Sequence, residues 1–321
     1  MSQDTRWLAA AACLAERARP LSRPNPAVGA IVVRDGIVVG RGWTQAGGRP
    51  HAEAVALAQA GNQARGATLY VTLEPCAHFS ARGPACADLV ATSGLARVVV
   101  GVEDPDPRTS GAGLARLRSA GIETVLVDDE SSRASLAGYL VRQRESRPFV
   151  TLKLALTADG FIARSDGSSK WITGETARAH GHRERARSDA ILVGGGTLRA
   201  DEPRLDVRLP GLEDRSPRRF ALTRGSVPDG WSALGDPLDV RGMNAHYLLV
   251  EGGAGVAEAF LPTGLVDRLL LYRAPVEFGE GIRAFRQPGA DGVPSGWNLT
   301  ERRQLGSDTL EVYTRAESQG A

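Results

Sequence analysis

Three residues with metal-binding side chains constrain how the first half of this chain can fold. His51 begins the segment His-Ala-Glu, Cys76 ends the segment Glu-Pro-Cys, and Cys86 follows after a short loop. For one ion to bind all three, the parts of the chain that carry them must converge on one point. One imidazole and two thiolates suit Zn²⁺, and three protein ligands leave the fourth tetrahedral position open for water.

Glu53 lies two residues after the histidine, where a carboxylate can move protons without binding the ion. Zinc lowers the pKa of a bound water to about 7, which makes a nucleophile available at neutral pH. The pattern H-x-E followed by P-C and a second cysteine is typical of zinc-dependent nucleobase deaminases. We therefore interpret His51, Cys76 and Cys86 as ligands of one zinc ion per chain, and Glu53 as the catalytic proton carrier.

Local sequence patterns place these residues in an α/β context. Asp35-Gly36 predicts a hairpin, a strand over 68–73 leads into the Glu-Pro-Cys segment, and Pro84 begins the helix that carries Cys86. The alternation of strands and helices continues to about residue 127 and predicts a mainly parallel sheet between helices. Ligands of such sheets collect at the carboxyl ends of the strands, which is where the cysteine loop falls.

Length and charge limit the class of protein. At 321 residues the chain exceeds a usual single core, so we predict two domains, 1–146 and 147–321. A net charge of +2 gives no electrostatic reason to expect nucleic acid or a membrane surface as the main partner. The apolar segment 9–15 precedes Arg17 instead of following a charged region, so it predicts an amphipathic helix and not a signal peptide. We expect a cytoplasmic protein without disulfides.

The second half shows features of a dinucleotide-binding domain. The apolar strand 149–156 contains Lys153, and an ammonium there is costly unless it meets an anion or a polar ligand. Two strand ends run into glycine loops, 194–196 and 252–255. Loops of this kind between a strand and a helix receive phosphates on their backbone N–H groups. His180 and His182 are two apart on one helix, so we interpret them as solvated residues and not as a metal pair.

Longer motifs resemble a known family. Residues 25–29, 51–54, 72–78, 103–107 and 111–113 resemble the deaminase half of the bifunctional riboflavin-biosynthesis proteins of the RibD family, which join a pyrimidine deaminase to a pyrimidine reductase. Residues 151–155, 157–160, 170–173, 200–208 and 249–253 resemble the reductase half, which is similar to dihydrofolate reductase in fold and uses NADPH. The resemblance implies a cytidine-deaminase-like three-layer α/β domain followed by a dihydrofolate-reductase-like α/β domain.

The resemblance also implies roles for individual residues. The substrate would be a phosphorylated ribosylaminopyrimidine, deaminated first and then reduced at its ribosyl group. We assign Lys153 and Asp201 to the proton transfer that accompanies hydride transfer. In the deaminase half, substrate contacts are implied for Asn25 and His78, and Arg82 replaces the family's usual basic contact to the phosphate. In the reductase half the implied cofactor contacts are Ala155, Trp171, Thr197, Asp201, Gly253, Ala254 and Gly255, and the implied substrate contacts are Ser169, Arg185, Leu205, Arg208 and Glu251.

Four departures from the family pattern lead to further expectations. The loop 77–85 between the two cysteines is one residue longer than usual, and we expect the extra residue to bulge without moving the ligands. Thr44 stands where the family often has a histidine, and Thr223 where it often has an aspartate. The reductase half is shorter than the family norm: between Arg208 and Leu249, where the family usually has another strand and helix, we predict one strand, 219–223, so the reductase sheet should lose an edge strand.

Two alternatives remain at this stage. In the first, the chain is a monofunctional deaminase whose C-terminal half only binds a ligand or builds the oligomer. In the second, it deaminates nucleosides or tRNA, which leaves the second domain without a purpose. We also expect a homo-oligomer, either a dimer or a tetramer.

Overall fold

The computed structural model describes residues 2–169, 172–289 and 292–316. Its internal contacts divide the chain into two compact units, the N-terminal unit ending at Glu145 and the C-terminal unit beginning at Ser146. Within the described ranges, no helix has both the length and the apolar character that a membrane crossing requires.

The N-terminal unit is a five-stranded sheet covered by helices on both faces. The strand order is β2-β1-β3-β4-β5; β1 pairs antiparallel with β2 and β3, while β3, β4 and β5 are parallel. The predicted parallel sheet is therefore found only in β3–β5, because the hairpin at Asp35-Gly36 adds two antiparallel pairs. The elements are α1 Gln3–Ala15, β1 Gly29–Arg34, β2 Ile37–Trp43, α2 Ala52–Ala60, β3 Thr68–Leu73, α3 Cys86–Ala91, β4 Arg97–Val102, α4 Ala112–Ser119, β5 Glu123–Leu126, α5 Glu130–Ser135 and α6 Ala137–Glu145.

The strands of this unit alternate their side chains between two apolar cores. On one face, Val32 and Val71 pack with Ala56 of α2 and Leu117 of α4. On the other face, strand residues pack against α1, which contributes Leu8 and Ala11. The result is the three-layer arrangement predicted from the sequence, with α2, α3 and α4 beginning near the carboxyl end of β3.

The C-terminal unit contains an eight-stranded sheet with the order β10-β9-β8-β11-β6-β12-β15-β14. Neighbouring strands from β10 to β12 are parallel, and the last two pairs are antiparallel. The elements are β6 Phe149–Leu156, β7 Phe161–Ala163, α7 Glu175–Ala186, β8 Ala190–Gly194, α8 Gly195–Asp201, β9 Arg218–Leu222, β10 Trp231–Leu234, β11 Tyr247–Glu251, α9 Ala254–Phe260, β12 Val266–Arg273, β13 Ile282–Arg283, β14 Trp297–Leu305 and β15 Asp308–Arg315.

The expected loss of an edge strand is wrong. Strand β10 pairs in parallel with β9, with Trp231 opposite Arg219, and it lies inside the proline- and glycine-rich passage that we interpreted as irregular. Two features explain why the sequence did not predict this strand: it has only four residues, and its two central residues are exposed. Such a short strand shows no alternation, and it forms because β9 offers an unpaired edge.

Candidate functional site

The three predicted zinc ligands meet at the carboxyl end of β3. His51 is the residue that precedes α2, Cys76 follows β3, and Cys86 begins α3. One donor atom of each lies within 4.8 Å of the others. The Nδ1 atom of His51 is 3.2 Å from the Cys86 sulphur and 3.6 Å from the Cys76 sulphur. The longer loop 77–85 therefore leaves the ligand atoms close together.

The chemistry of this donor set fits zinc. Both sulphur atoms belong to buried residues, and the Cys86 N–H donates to the Cys76 sulphur over 3.3 Å. The contacts with Cys86 and His51 lower the pKa of Cys76 to about 4, although burial opposes this. Metal binding requires deprotonated thiols, and three ligands of this kind leave one tetrahedral position open. Residues 2–169, 172–289 and 292–316 contain no second such group of ligand atoms.

Glu53 lies beside the ligands without belonging to the set. It occupies the first turn of α2 and is almost fully buried. Burial raises the pKa of its carboxyl group, and the side chain also contacts Cys86. A raised pKa makes a carboxylate a better proton acceptor than an ordinary glutamate, which suits general acid–base catalysis. This is the property required of the proton carrier that we predicted.

A cavity of about 350 Å³ opens onto His51 and Cys76 and brings together the other site residues predicted in the N-terminal half. Asn25, Glu53, His78 and Arg82 all line it. Sequence reasoning missed several other lining residues. Asp104 and Asp106 lie in the motif 103–107, for which we predicted no role, but Tyr139 belongs to α6, far from any motif. The missed residues are Arg49, Asp104, Asp106, Arg108 and Tyr139.

The predicted substrate contacts in this cavity are held by other groups of the protein. The Asn25 Nδ2 atom is 2.9 Å from the Gly48 carbonyl oxygen and 2.9 Å from the His51 Nε2 atom. The His78 Nδ1 atom is 3.2 Å from the Thr109 hydroxyl, and Arg82 donates to the Gly47 carbonyl over 2.7 Å. All three side chains are thus oriented before a ligand enters.

Two further motif residues have structural roles. The Thr44 hydroxyl accepts a hydrogen bond from the Val28 N–H, so this residue joins two segments of the cavity wall. Glu74 is buried, and its carboxylate accepts hydrogen bonds from the N–H groups of Asp104, Gly111 and Leu114. The glutamate of the Glu-Pro-Cys segment therefore connects the end of β3 to the beginning of α4.

Gly113 permits this connection because α4 passes close to the cysteine loop. A Cβ atom at residue 113 would come within 2.2 Å of the Pro75 carbonyl oxygen and 3.0 Å of the Glu74 carboxylate. We expect Gly113→Ala to lower the free energy of unfolding by about 1–3 kcal/mol, since overpacking in a dense interior costs this much. Thermal unfolding of the zinc-loaded protein measures it. The exposed Ala115→Gly on the same helix is the control, with a cost of at most about 1 kcal/mol. An unchanged melting temperature for Gly113→Ala would contradict the close approach.

In the C-terminal unit, Lys153, Arg185 and Glu251 form one ionic cluster. Strands β6 and β11 are parallel, with Lys153 opposite Glu251, and the two charged atoms are 3.9 Å apart. The Nε and Nη2 atoms of Arg185 donate to the two carboxylate oxygens of Glu251 over 2.7 and 2.9 Å. Burial alone would raise the pKa of Glu251, but the two cations outweigh it and lower that pKa to about 2. The lysine therefore has the anionic partner that its apolar strand requires.

The glycine loops lie at neighbouring strand ends beside this cluster. Strand β8 leads into residues 194–196 and β11 into residues 252–255, and these two strands are paired in parallel. Thr197 lies in the first turn after one loop, and Gly253 precedes α9 after the other. Ala155 is half-buried on β6, two residues beyond Lys153. These cofactor candidates thus share one edge of the sheet.

The remaining reductase candidates are more dispersed. Trp171 lies outside the described residues. Asp201 is exposed at the end of α8, whereas Lys153 forms its ion pair with Glu251. Ser169 and Arg208 are exposed, and the Leu205 side chain is buried in an apolar cluster, so that only its backbone can face a ligand.

The interpretation of His180 as a solvated residue is wrong. His180 is buried on α7, and its Nδ1 atom is 2.7 Å from the Tyr272 hydroxyl. Burial and the surrounding arginines lower the pKa of His180 to about 4, so the ring is neutral at pH 7. Tyr272 in turn lies under Lys153, whose ammonium is 5.5 Å from the centre of the ring. The sequence could not show this because the partners come from α7, β6 and β12.

The fold and the two sites define a protein that joins a zinc-dependent deaminase domain to a reductase domain. Residues 1–102 match the cytidine and deoxycytidylate deaminase zinc-binding region, and residues 148–231 and 239–310 match the RibD C-terminal domain. The chain is 35% identical to the riboflavin biosynthesis protein RibD of Haemophilus influenzae, with 98% of each chain covered. It belongs to the RibD family of bifunctional deaminase–reductases.

Further relatives are similar to this chain over nearly its whole length. The RibD protein of Aquifex aeolicus is 38% identical, with 97% of this chain and 98% of the relative covered. The solved structure of Acinetobacter baumannii RibD has a TM-score of 0.85 at 32% identity, covering 98% of this chain and 99% of that one. A diaminohydroxyphosphoribosylaminopyrimidine deaminase/5-amino-6-(5-phosphoribosylamino)uracil reductase from Thermotoga maritima has a TM-score of 0.85 at 30% identity, with the same coverage.

Membership of the family decides between the sequence alternatives. The chain carries a deaminase and a reductase, which act on small molecules, and its cofactors are zinc and NADPH. The alternative in which the C-terminal half has no catalytic role is not favoured, because the RibD C-terminal domain matches most of that half.

The zinc ligands can be tested by metal content. We expect the wild-type protein to hold about one zinc per chain and Cys86→Ser to hold well below half of that, because a neutral hydroxyl replaces a thiolate ligand. Metal analysis after gel filtration measures the zinc content. The matched control is Cys13→Ser, an exposed cysteine on α1, which should retain the metal. Full zinc content in Cys86→Ser would remove that residue from the ligand set.

Proposed function

We propose that the N-terminal cavity deaminates a 2,5-diamino-6-ribosylamino-4(3H)-pyrimidinone 5′-phosphate and that the C-terminal unit reduces the ribosyl group of the product with NADPH. The name of the Thermotoga maritima protein describes this pair of reactions. The observation that carries the proposal is the convergence of His51, Cys76 and Cys86 beside a cavity that buried Glu53 lines together with His51 and Cys76.

Glu53 performs the proton transfers of deamination. Zinc, when bound by His51, Cys76 and Cys86, supplies a water-derived nucleophile at neutral pH. The Glu53 carboxylate accepts a proton as the pyrimidine carbon is attacked and releases it to the departing ammonia. Its burial favours this role, because the raised pKa makes the carboxylate a better proton acceptor than an ordinary glutamate. Asn25 and His78, held by Gly48 and Thr109, orient the ring.

Arginine side chains around the cavity suit the phosphate of this substrate. Arg49, Arg82 and Arg108 all line the cavity. Arg82 is tethered through Gly47, and the Arg108 guanidinium pairs with Asp106, so two of the three have fixed positions. Guanidinium groups bind phosphate through two parallel hydrogen bonds. Arg82 thus serves as the basic contact that the sequence suggested, with Arg49 and Arg108 beside it.

In the reductase unit, the ribosyl reduction requires a hydride at C1 of the opened sugar and a proton close by. NADPH supplies the hydride. We assign the proton to Lys153, held by Glu251, and we assign Asp201 to its orientation. Arg185 fixes Glu251 and faces the substrate phosphate together with Arg208, Ser169 and the Leu205 backbone. The cofactor contacts are those of Ala155, Trp171, Thr197 and the loop of Gly253, Ala254 and Gly255.

The two activities can be measured separately in a single preparation of the protein. The diamino substrate without NADPH should release ammonia, and the isolated deaminated product should then cause loss of NADPH absorbance. Ammonia release without any oxidation of NADPH would support the deaminase activity and reject the reductase activity. Oxidation of NADPH without ammonia release would leave only the reductase.

We also propose that domain 1–146 and domain 147–321 act in a cytoplasmic homo-oligomer, a dimer or a tetramer. Two buried thiols at a metal site favour a reducing compartment. One of the two edge strands of the large sheet, β14, is exposed along most of its length, which supports pairing with another copy. Sedimentation of the full chain measures the state, and a monomer at micromolar concentration would contradict this assembly.

A further inference from the structure

The carboxylate partner of Lys153 does not fix the position of its ammonium group. Both oxygens of Glu251 accept hydrogen bonds from Arg185, and the Lys153 Nζ atom lies 3.9 Å from the Glu251 Oε2 atom. This distance is too long for a hydrogen bond, so the attraction is electrostatic and has no preferred direction. Among the described residues, no other ion pair and no hydrogen bond engages this ammonium. A lysine has a flexible four-carbon stem, so its charge needs a second contact to stay in one place.

The ring of Tyr272 provides that second contact. In the parallel ladder of β6 and β12, Tyr272 lies opposite Ala155, so its side chain is on the same face of the sheet as Lys153, two residues earlier on β6. The Lys153 Nζ atom is 5.5 Å from the centre of the ring. The face of an aromatic ring attracts an ammonium group within about 6 Å. This attraction uses none of the lysine N–H bonds, which remain available to a ligand.

Tyr272 is itself held by buried groups. Its hydroxyl is 2.7 Å from the Nδ1 atom of His180, and both residues are buried. Burial raises the pKa of Tyr272, so the hydroxyl keeps its proton and the ring is uncharged at neutral pH. Apolar side chains from α7, β12 and β15 surround the ring: Ala177, Leu270, Leu310 and Val312. The ring therefore has a fixed place under the lysine.

Two arginines determine the direction of the hydrogen bond between His180 and Tyr272. The Nη2 atoms of Arg183 and Arg303 each lie 2.9 Å from the Nε2 atom of His180. A guanidinium group can only donate, so Nε2 must accept and carries no proton. The imidazole is neutral, since its pKa is lowered to about 4, and its one proton is on Nδ1. His180 thus donates to the Tyr272 oxygen.

We propose that Tyr272 is a positioning residue of the reductase: its ring, anchored by His180, keeps the Lys153 ammonium in place with its N–H bonds available to the substrate. The Tyr272 side chain is almost completely buried, so it acts through Lys153 and not by direct contact with the substrate. This inference rests on the proposed role of Lys153 as the proton donor.

Two variants separate the ring from its hydroxyl. Tyr272→Leu removes the ring and should slow single-turnover oxidation of NADPH by the deaminated product about 5- to 30-fold, the rate equivalent of one lost cation–π contact. Tyr272→Phe keeps the ring and should stay within about 2-fold of the wild-type rate. It should still melt at a lower temperature, because the buried His180 N–H loses its acceptor. If Tyr272→Phe is as slow as Tyr272→Leu, the assignment to the ring is overturned.

A double-mutant cycle separates positioning from a general structural effect. In a Lys153→Met background, Tyr272→Leu should slow the reaction by at most about a further 2-fold, because no ammonium is left to position. An equal loss in both backgrounds would overturn the proposal. A wild-type rate in Lys153→Met alone would instead reject the proton donor on which the proposal rests. Should Tyr272→Leu fail to fold, Tyr272→Met, which also lacks the ring, replaces it in the cycle.

Tyr313→Leu is the matched control. Tyr313 is another buried tyrosine of the same unit, but it belongs to the apolar core on the other face of the sheet. Its replacement should lower the melting temperature and leave the single-turnover rate within about 2-fold of wild type. The fluorescence of bound NADPH, titrated on every full-length variant, should give an unchanged dissociation constant. A weaker NADPH affinity in Tyr272→Leu that accounts for its slower oxidation would overturn the positioning of Lys153.

Discussion

Glu53→Gln is expected to lower the rate of ammonia release by about 10²- to 10⁴-fold, since this is the contribution of a positioned acid–base group. Glutamine has almost the same size as glutamate, so the buried position beside Cys86 stays filled. The amide cannot accept the proton that deamination generates. The protein should still hold about one zinc per chain, because Glu53 is not a ligand. Ammonia release and zinc content, measured on one preparation, check both statements.

Two controls separate this effect from a general loss of structure. Oxidation of NADPH with the isolated deaminated product should proceed at the wild-type rate in Glu53→Gln. Glu103→Gln, at an exposed glutamate outside the cavity lining, should leave ammonia release within about 2-fold of wild type. A wild-type rate of ammonia release in Glu53→Gln would contradict the proposed role of Glu53 in proton transfer. Loss of zinc in that variant would instead show that Glu53 supports the metal.

The deaminase site could be predicted because its parts are local. His51, Cys76 and Cys86 each lie at the end of an element whose boundary has a sequence signal, so their convergence follows once β3 and α3 are recognised. The rest of the cavity is not local. Arg49 and Tyr139 come from segments far apart in the chain, and only the packing of α6 near the cavity brings the tyrosine into it. No spacing rule connects such residues.

The reductase site was harder to predict for a related reason. The motifs that contain Lys153 and Glu251 could be recognised separately, but the strand pairing that places them 3.9 Å apart could not. Strand β10 was not predicted because a strand of four residues is too short to show a clear alternation of apolar and polar side chains. The burial of His180 depends on Tyr272 and Arg303, which follow it by most of the domain. Propensity and periodicity describe each element, whereas these features depend on which elements become neighbours.

Lys153→Met is expected to lower NADPH oxidation by about 10²- to 10⁴-fold, again the range of a positioned proton donor. The chain has 39 lysines and arginines, and only Lys153 and Lys170 are lysines, so arginine supplies the other 37. An arginine cannot give up its proton in a protein, whereas a lysine can. A lysine at this position is therefore consistent with a proton that has to leave. The measurement is single-turnover oxidation of NADPH by the deaminated product.

Lys153→Arg separates the charge of this residue from its proton. The Glu251 carboxylate, whose pKa is lowered to about 2, remains ionised at neutral pH and can pair with either cation. If Lys153 serves only to balance Glu251, the arginine variant should keep most of the rate, and the proton-donor role would be rejected. If it donates the proton, Lys153→Arg should be nearly as slow as Lys153→Met, while both variants still bind NADPH. Ammonia release should be unchanged in both, because the zinc site and Glu53 belong to the other unit.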